Sequence, residues 1–251
     1  MKAIVISLAH AQERRRRIAQ RFSEAGVPFE FMDAVDAEKM TEADMAQVDT
    51  RYRRRWGLRP VASSELACWR SHVSAITRAS TGPDPMTAIF EDDAIPLPEL
   101  PAVLDALEHS PVSFDLVSLA RRSRKPLVAA EPLAAGRSMG RVRYSEYCAA
   151  GYVITREAAA YLAGRMKRMR LPVDMELLFF WVHRLDLFFL DAPVVEHDEK
   201  PPSQIATDRT VAVTGWKPPR HRRLAYLLHM AASKRIGFRN LVSGKTRRYR
   251  S

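Results

Sequence analysis

Ala3-Ile4-Val5-Ile6-Ser7-Leu8 opens the chain with a run that hardly alternates and is rich in β-branched and aliphatic side chains. Such a run is the signature of a central strand buried on both faces. A basic amphipathic helix follows from Gln12 to Ala25, closed by Gly26 with Pro28 just beyond. Phe29-Glu30-Phe31-Met32 then reads as a second strand. Strand, helix, strand is the opening of a βαβ unit, and it predicts an α/β fold with a mainly parallel sheet. The opening run is too short for a signal peptide, and Arg14 to Arg17 follow it directly. No stretch approaches the ~20 apolar residues that span a bilayer.

Residues 41–60 are polar and arginine-rich, with little core signal. Ser63-Ser64-Glu65 then marks a helix start, where a hydroxyl can cap free N–H groups and Glu65 suits the positive end of the dipole. That helix runs to about Ser80, and Thr81-Gly82-Pro83-Asp84-Pro85 breaks it. Met86-Thr87-Ala88-Ile89-Phe90 is a strand that runs straight into Glu91-Asp92-Asp93. A short helix over 101–109, a strand over 115–119 and an exposed basic loop over 121–142 are expected next. Residues 149–155 form a further strand, after which Thr155 caps a helix. Pro172-Val173-Asp174 opens a helix carrying Leu177, Leu178, Phe180 and Trp181, and 187–190 and 194–195 are short strands.

With 251 residues and 47% hydrophobic content, the chain can bury a core without staples, as one α/β domain or two small ones. Cys68 and Cys148 lack metal-ligand spacing and read as reduced buried thiols, which fits a cytoplasmic protein. The net charge of +11 is localised. Residues 216–251 hold eleven Lys/Arg and no Asp or Glu, which accounts for the entire excess of 40 basic over 29 acidic residues. The body, 1–215, is therefore neutral, which argues against a nucleic-acid partner despite Arg14–Arg17 and Arg53–Arg55.

Four features carry chemistry. Glu91-Asp92-Asp93 places three mutually repelling carboxylates at the end of a buried strand. They need solvation or a countercharge, and a hard cation such as Mg²⁺ or Mn²⁺ supplies one. A strand's C-terminal end is also where open α/β sheets place ligands; an acidic loop or a helix cap is the alternative. Helical spacing puts Glu65, Trp69, His72 and Ile76 on one stripe, which either lines a cleft or packs partly buried. Asp174 is a helix-start carboxylate, either a plain cap or a working group. His197, between Glu196 and Asp198 at a strand end, is a metal ligand or a surface histidine.

In sequence order these features resemble glycosyltransferase family 25, which contains bacterial lipopolysaccharide β-galactosyltransferases and collagen galactosyltransferase domains. The resemblance rests on Ile4-Val5-Ile6-Ser7-Leu8 with Arg14, Glu65-Leu66-Ala67-Cys68-Trp69-Arg70-Ser71-His72, Ala88-Ile89-Phe90-Glu91-Asp92-Asp93-Ala94, Ala150 to Ala159, Pro172-Val173-Asp174 and Ser203-Gln204-Ile205. It covers residues 3–205. One departure stands at Ser7-Leu8-Ala9-His10, where the family's first strand usually ends in Asn-Leu and an acidic residue.

The resemblance implies a GT-A-like single domain over 1–215, a UDP-sugar donor, a glycan or lipid-linked glycan acceptor, and inversion at the transferred sugar, with galactose the expected hexose. It implies that Glu91-Asp92-Asp93 acts as the family's Asp-X-Asp motif, one carboxylate addressing the ribose and the last binding Mn²⁺ or Mg²⁺. Asp93 is then the first metal ligand and Glu91 the second, with His197 as a third candidate. Ser7, Leu8, Arg14, Glu65, Ser71, His72, Glu91 and Asp92 fall in the donor site, and Asp174 is the general base. A degenerate sugar-nucleotide binder without turnover is the rival reading. In the basic segment 216–251, Leu224 to Ala231 forms an apolar helical patch between basic clusters. This suits the anionic cytoplasmic face of a membrane, or a solvated tail.

Overall fold

A computed structural model of the chain describes residues 1–123, 126–143, 146–179, 181–198 and 220–242. The opening run becomes strand β1 (Lys2–Ser7), followed by helix α1 (Gln12–Glu24) and strand β2 (Glu30–Asp33). β1 pairs in parallel with β2, Ile4 opposite Glu30, so the opening is the expected βαβ unit. Gly26 leaves α1 at φ +69°, a conformation open to glycine at no steric cost.

Helix α4 (Ser63–Thr81) leads into β3 (Met86–Glu91), which lies against β1 in parallel with Ile4 opposite Ile89 and Ile6 opposite Glu91. That register sets the end of β1 beside the three carboxylates. The α4 start differs in detail from expectation. Ala62 is the cap residue and neither serine caps; instead the Glu65 carboxylate accepts the Ala62 N–H at 3.2 Å. The polar stretch before α4 holds two short helices, α2 (Glu42–Met45) and α3 (Thr50–Trp56). Beyond β3 come β4 (Ala94–Pro96), α5 (Leu100–Glu108) and β5 (Leu116–Ser118).

Residues 121–142 are not the exposed loop that their basic composition implies. They contain β6 (Val128–Pro132) and β7 (Ser138–Arg141), an antiparallel hairpin that extends the sheet past β9 (Leu187–Leu190). Composition hides the hairpin because β6 is mostly exposed and β7 is anchored by few groups. Arg141 spans the Phe188 ring at 4.3 Å and reaches Asp186 at 2.6 Å. Gly140 is buried so tightly that a Cβ would lie 3.0 Å from the Ala130 Cα. β8 (Gly151–Thr155) and α6 (Arg156–Arg165) follow, with the Thr155 hydroxyl accepting the Ala158 N–H as expected.

The main sheet has the order β2-β1-β3-β8-β5-β9-β7-β6. Only β8 and β7 run against the other strands, so the sheet is mixed and mainly parallel. Alternate side chains feed two cores. Ile6, Ile89, Leu116 and Ile154 join α4, α6 and α7 on one face. Ala3, Val5, Ala88, Phe90 and Val117 join α1 and α5 on the other. Helix α7 (Val173–Leu178) stops earlier than predicted: Phe179 turns to φ −89°, ψ 93° and stacks its buried ring on Trp181 at 4.6 Å. Phe180, also assigned to that helix, lies outside the described residues, as do Ser203-Gln204-Ile205. A separate two-stranded ribbon pairs β10 (Val195–His197) with β4. Helix α8 (Arg220–Val242) carries the described part of the basic segment. Among the described residues, no helix is long and apolar enough to cross a membrane.

One buried carboxylate ties α4 to α7. Glu176 is 3% exposed and accepts from Trp69 Nε1 at 3.2 Å and from the Arg170 and Leu171 N–H groups at 3.1 and 3.2 Å. Glu176→Ala leaves three donors without their acceptor, and is predicted to cost about 3 kcal/mol in equilibrium urea unfolding.

Candidate active site

The ends of β1 and β3 and one face of α4 enclose a cavity of about 150 Å³. Ser7, Leu8, Arg14, Ser71, His72, Glu91, Asp92, Asp93 and His197 all line it. The fold brings these residues together from five separate elements. β1 and β3 are hydrogen-bonded neighbours, α1 carries Arg14 above them, and α4 packs beneath with His72. The β10–β4 ribbon places His197 opposite Ala94, the residue after Asp93. The Asp198 N–H donates to the Asp93 carbonyl at 2.8 Å and locks that pairing.

Each of the three carboxylates has its own partner. Glu91 Oε1 lies 2.9 Å from His72 Nε2, and His72 Nδ1 lies 3.0 Å from the Tyr152 hydroxyl. A hydrogen on Nε2 satisfies both contacts, with Tyr152 donating to Nδ1 and His72 donating to Glu91. Burial holds the Tyr152 phenol well above its ordinary pKa, so it stays a donor. Asp92 accepts the Ser7 hydroxyl at 2.7 Å and pairs with Arg14. Burial pushes Asp92 up from its ordinary value, while Arg14 and Ser7 pull it back. Asp93 Oδ2 meets His197 Nε2 at 3.1 Å and Arg14 at 3.6 Å. The hydrogen bond that His197 donates to Asp93 raises the pKa of His197.

The site has the donor set that a divalent cation needs. Glu91, Asp93 and His197 each offer a ligand atom, and these atoms lie within 4.8 Å of one another. Asp93 Oδ1 and His197 Nδ1 are buried without a hydrogen-bond partner among the described residues. Two carboxylates and one imidazole fit Mn²⁺ or Mg²⁺. A second cluster, Cys68, His72 and Glu91, fits less well. Burial and the surrounding carboxylates push the Cys68 thiol well above its ordinary pKa, away from the thiolate a metal requires.

A second cavity, of about 400 Å³, adjoins the first and shares Cys68, Glu91 and His197 with it. Asp174, Glu65, Arg122 and Tyr147 are among the other residues of its wall. Asp174 lies one residue inside α7, whose cap is Pro172, and its Oδ1 accepts the Met175 N–H at 2.8 Å.

Two predicted site residues have structural duties. Ser71 donates to the Ala67 carbonyl and accepts the Val35 N–H, both at 2.8 Å, fixing the loop after β2. Glu65 lines the second cavity rather than the first, and its carboxylate is shared between Arg59 and the α4 start. The stripe of α4 facing the first cavity is Ser64, Ala67, Cys68, Ser71 and His72. Of the stripe that either lines a cleft or packs partly buried, Trp69 and Ile76 take the buried alternative, because their bulk fills the space against α7 and the sheet. Small side chains mark the true cleft face, a signal available in the sequence. Sequence reasoning also missed Tyr152, whose hydroxyl orients His72.

The model of glycosyltransferase family 25 (LPS biosynthesis protein) matches residues 1–177, and the chain belongs to that family. The lacto-N-neotetraose biosynthesis glycosyltransferase LgtE of Neisseria gonorrhoeae is 32% identical over 173 residues, 66% of this chain and 60% of LgtE. Procollagen galactosyltransferase 1-A of Xenopus laevis is 26% identical over 182 residues, 69% of this chain but only 30% of the frog protein. LgtB of Neisseria gonorrhoeae reaches 38% identity over 95 residues, 38% of this chain and 33% of LgtB. The match thus spans under two thirds of each of these relatives. Asp174 falls inside the family match and His197 beyond it.

Because Arg14 opposes the effect of burial on Asp92, Arg14→Gln is predicted to raise the Asp92 pKa further. Carboxyl ¹³C NMR titration measures it; an unchanged or lowered value would contradict the assignment of Arg14 as the countercharge.

Proposed function

We propose that this glycosyltransferase moves a hexose, galactose by preference, from a UDP-sugar to a glycan hydroxyl with inversion, in a GT-A-like catalytic domain. The observation that carries the reading is the pair of adjoining cavities. The first is lined by the carboxylate end of β3, Ser7, Arg14 and His72; the second holds Asp174; Glu91, Cys68 and His197 lie in the wall they share. Two substrates that exchange a group must meet, and this wall is where they would.

The first cavity takes the donor. Asp92, held by Ser7 and Arg14, faces the nucleoside. Asp93, Glu91 and His197 would hold Mn²⁺ or Mg²⁺, which would supply positive charge to the departing diphosphate. His72 fixes the orientation of Glu91. The acceptor occupies the second cavity with one hydroxyl directed at Asp174. As the bond from the anomeric carbon to the diphosphate breaks, the acceptor oxygen bonds to the opposite face. Its proton passes to the Asp174 carboxylate, acting as general base. A glycan acceptor of the lipopolysaccharide core, carried on a lipid anchor at the cytoplasmic face of the membrane, is the acceptor class that also suits the basic segment 216–251.

Transfer from UDP-galactose with Mn²⁺, read by product mass over a panel of glycan acceptors, tests the reading; turnover with no donor would favour a non-catalytic sugar-nucleotide binder. Asp174→Asn is predicted to lower kcat by about a hundredfold or more with little change in UDP affinity, and near-normal transfer would remove Asp174 as base.

A pH dependence also follows from His197. Because its pKa is raised, His197 keeps its proton to higher pH, and a bound cation would have to displace that proton. Mn²⁺ affinity is therefore predicted to increase from about pH 6 to about pH 8. A flat calorimetric profile would take His197 out of the ligand set.

A further inference from the structure

Among the described residues, four large apolar side chains are prominently exposed: Tyr147, Leu224, Leu227 and Leu228. Three of them lie on α8, and the fourth lines the second cavity. Leu224, Leu227 and Leu228, with exposed Ala231, repeat at the spacing of one helix face. The leucines are 59%, 55% and 62% exposed, so the face is bare rather than grazing a neighbour.

The opposite face of α8 is moored to the body. The His229 ring stacks on Trp56 at 4.4 Å, Tyr226 lies 6.3 Å from the same indole, and Lys234 sits 5.9 Å from the Trp181 ring. Met230 packs against the core that holds α4 and α7. The mooring also brings α8 close to the second cavity. Trp181, which Lys234 reaches, stacks on Phe179 at 4.6 Å, and the Phe179 ring lies 5.2 Å from that of Tyr147 on the cavity wall. The apolar patch read from the sequence is thus divided, with Tyr226 and Met230 turned inward and the leucines outward.

What covers the bare face is indicated by charge. The segment 216–251 carries eleven Lys/Arg and no acidic residue, on a body that is otherwise neutral. A protein partner or a second copy of this chain would bring a mixed surface against it, and a second copy would bring eleven like charges. An anionic bilayer offers both hydrocarbon for the leucines and negative headgroups for the basic residues.

We propose that the outward face of α8, Leu224, Leu227 and Leu228, docks the protein on an anionic membrane surface and holds the mouth of the second cavity beside that surface. The leucines enter the boundary between headgroups and acyl chains while the basic residues of the segment meet the lipid phosphates. α8 is then a bracket rather than a loose tether, because its inner face is fixed to α3 and to Trp181. The docking stands apart from the transfer reaction. Its use, to admit acceptors anchored in the lipid, rests on the reading of the second cavity as the acceptor site.

The full chain is to be sedimented with vesicles of phosphatidylcholine containing about 30% phosphatidylglycerol, and with phosphatidylcholine alone. Strong binding is expected to the anionic vesicles, at least tenfold above the neutral ones. The triple variant Leu224→Gln, Leu227→Gln, Leu228→Gln keeps charge and helix propensity and is expected to lose tenfold or more of that binding. In a separate variant, Leu228→Trp, the emission should move to the blue on adding anionic vesicles. Equal sedimentation of the triple variant and the parent, equal binding to neutral vesicles, or no emission change would each overturn the proposal. So would analytical ultracentrifugation showing a vesicle-free dimer that the triple variant abolishes. UDP-galactose turnover with a soluble acceptor should be unchanged in the triple variant; its absence in the parent would count against the transferase reading and leave the docking result standing.

Discussion

Three carboxylates in succession at the end of a buried strand repel one another. Two like charges about 4 Å apart at an effective dielectric of about 20 oppose each other by about 4 kcal/mol, more than an exposed ion pair returns. The architecture around β3 answers that repulsion group by group. His72 from α4 faces Glu91, Ser7 from β1 with Arg14 from α1 faces Asp92, and His197 from β10 faces Asp93. None of these partners is near the acidic triplet in sequence apart from His72, so the sheet order and the β4–β10 ribbon exist at this site as the means of delivering them. Among the described residues, Asp93 Oδ1 still lacks a partner after all three are in place. The proposed cation would meet that residual demand.

The opening of the fold was legible because it is local. The unbroken apolar run at Ala3–Leu8, the glycine that ends α1 and the capping hydroxyl of Thr155 each act through neighbours in the chain. The hairpin β6–β7 was hidden for the opposite reason. Its strands are held by contacts made far away in sequence, Arg141 with Asp186 and Phe188, and its composition on its own is that of a solvated loop. The early end of α7 has the same origin, since burial of Phe179 against Trp181 overrides the helical spacing that would have carried the helix onward.

The site follows the same division. Glu91, Asp92 and Asp93 could be read from one strand end, and family resemblance pointed to Ser7, Arg14, His72 and Asp174. The rotation of α4 could not be read from a stripe of polar residues. Trp69 and His72 share a helix face on paper, yet the indole fills the core and donates to Glu176 while the imidazole reaches the carboxylates. Size decides between them. The cleft side of α4 is the side of serine, alanine and cysteine, which leaves room for a ligand. Tyr152 is invisible from sequence because its contribution is a single buried hydroxyl behind His72.

The central claim is that the carboxylate end of β3 is the place where a divalent cation and the donor's diphosphate come together. Electron paramagnetic resonance of Mn²⁺, titrated into the protein with and without UDP, measures this most directly by counting free ion. The account predicts that UDP tightens Mn²⁺ binding to the parent chain by tenfold or more, and that Asp93→Ala removes most of that gain while leaving the fold intact by circular dichroism. Mn²⁺ binding that ignores UDP, or a gain that survives Asp93→Ala undiminished, would contradict it.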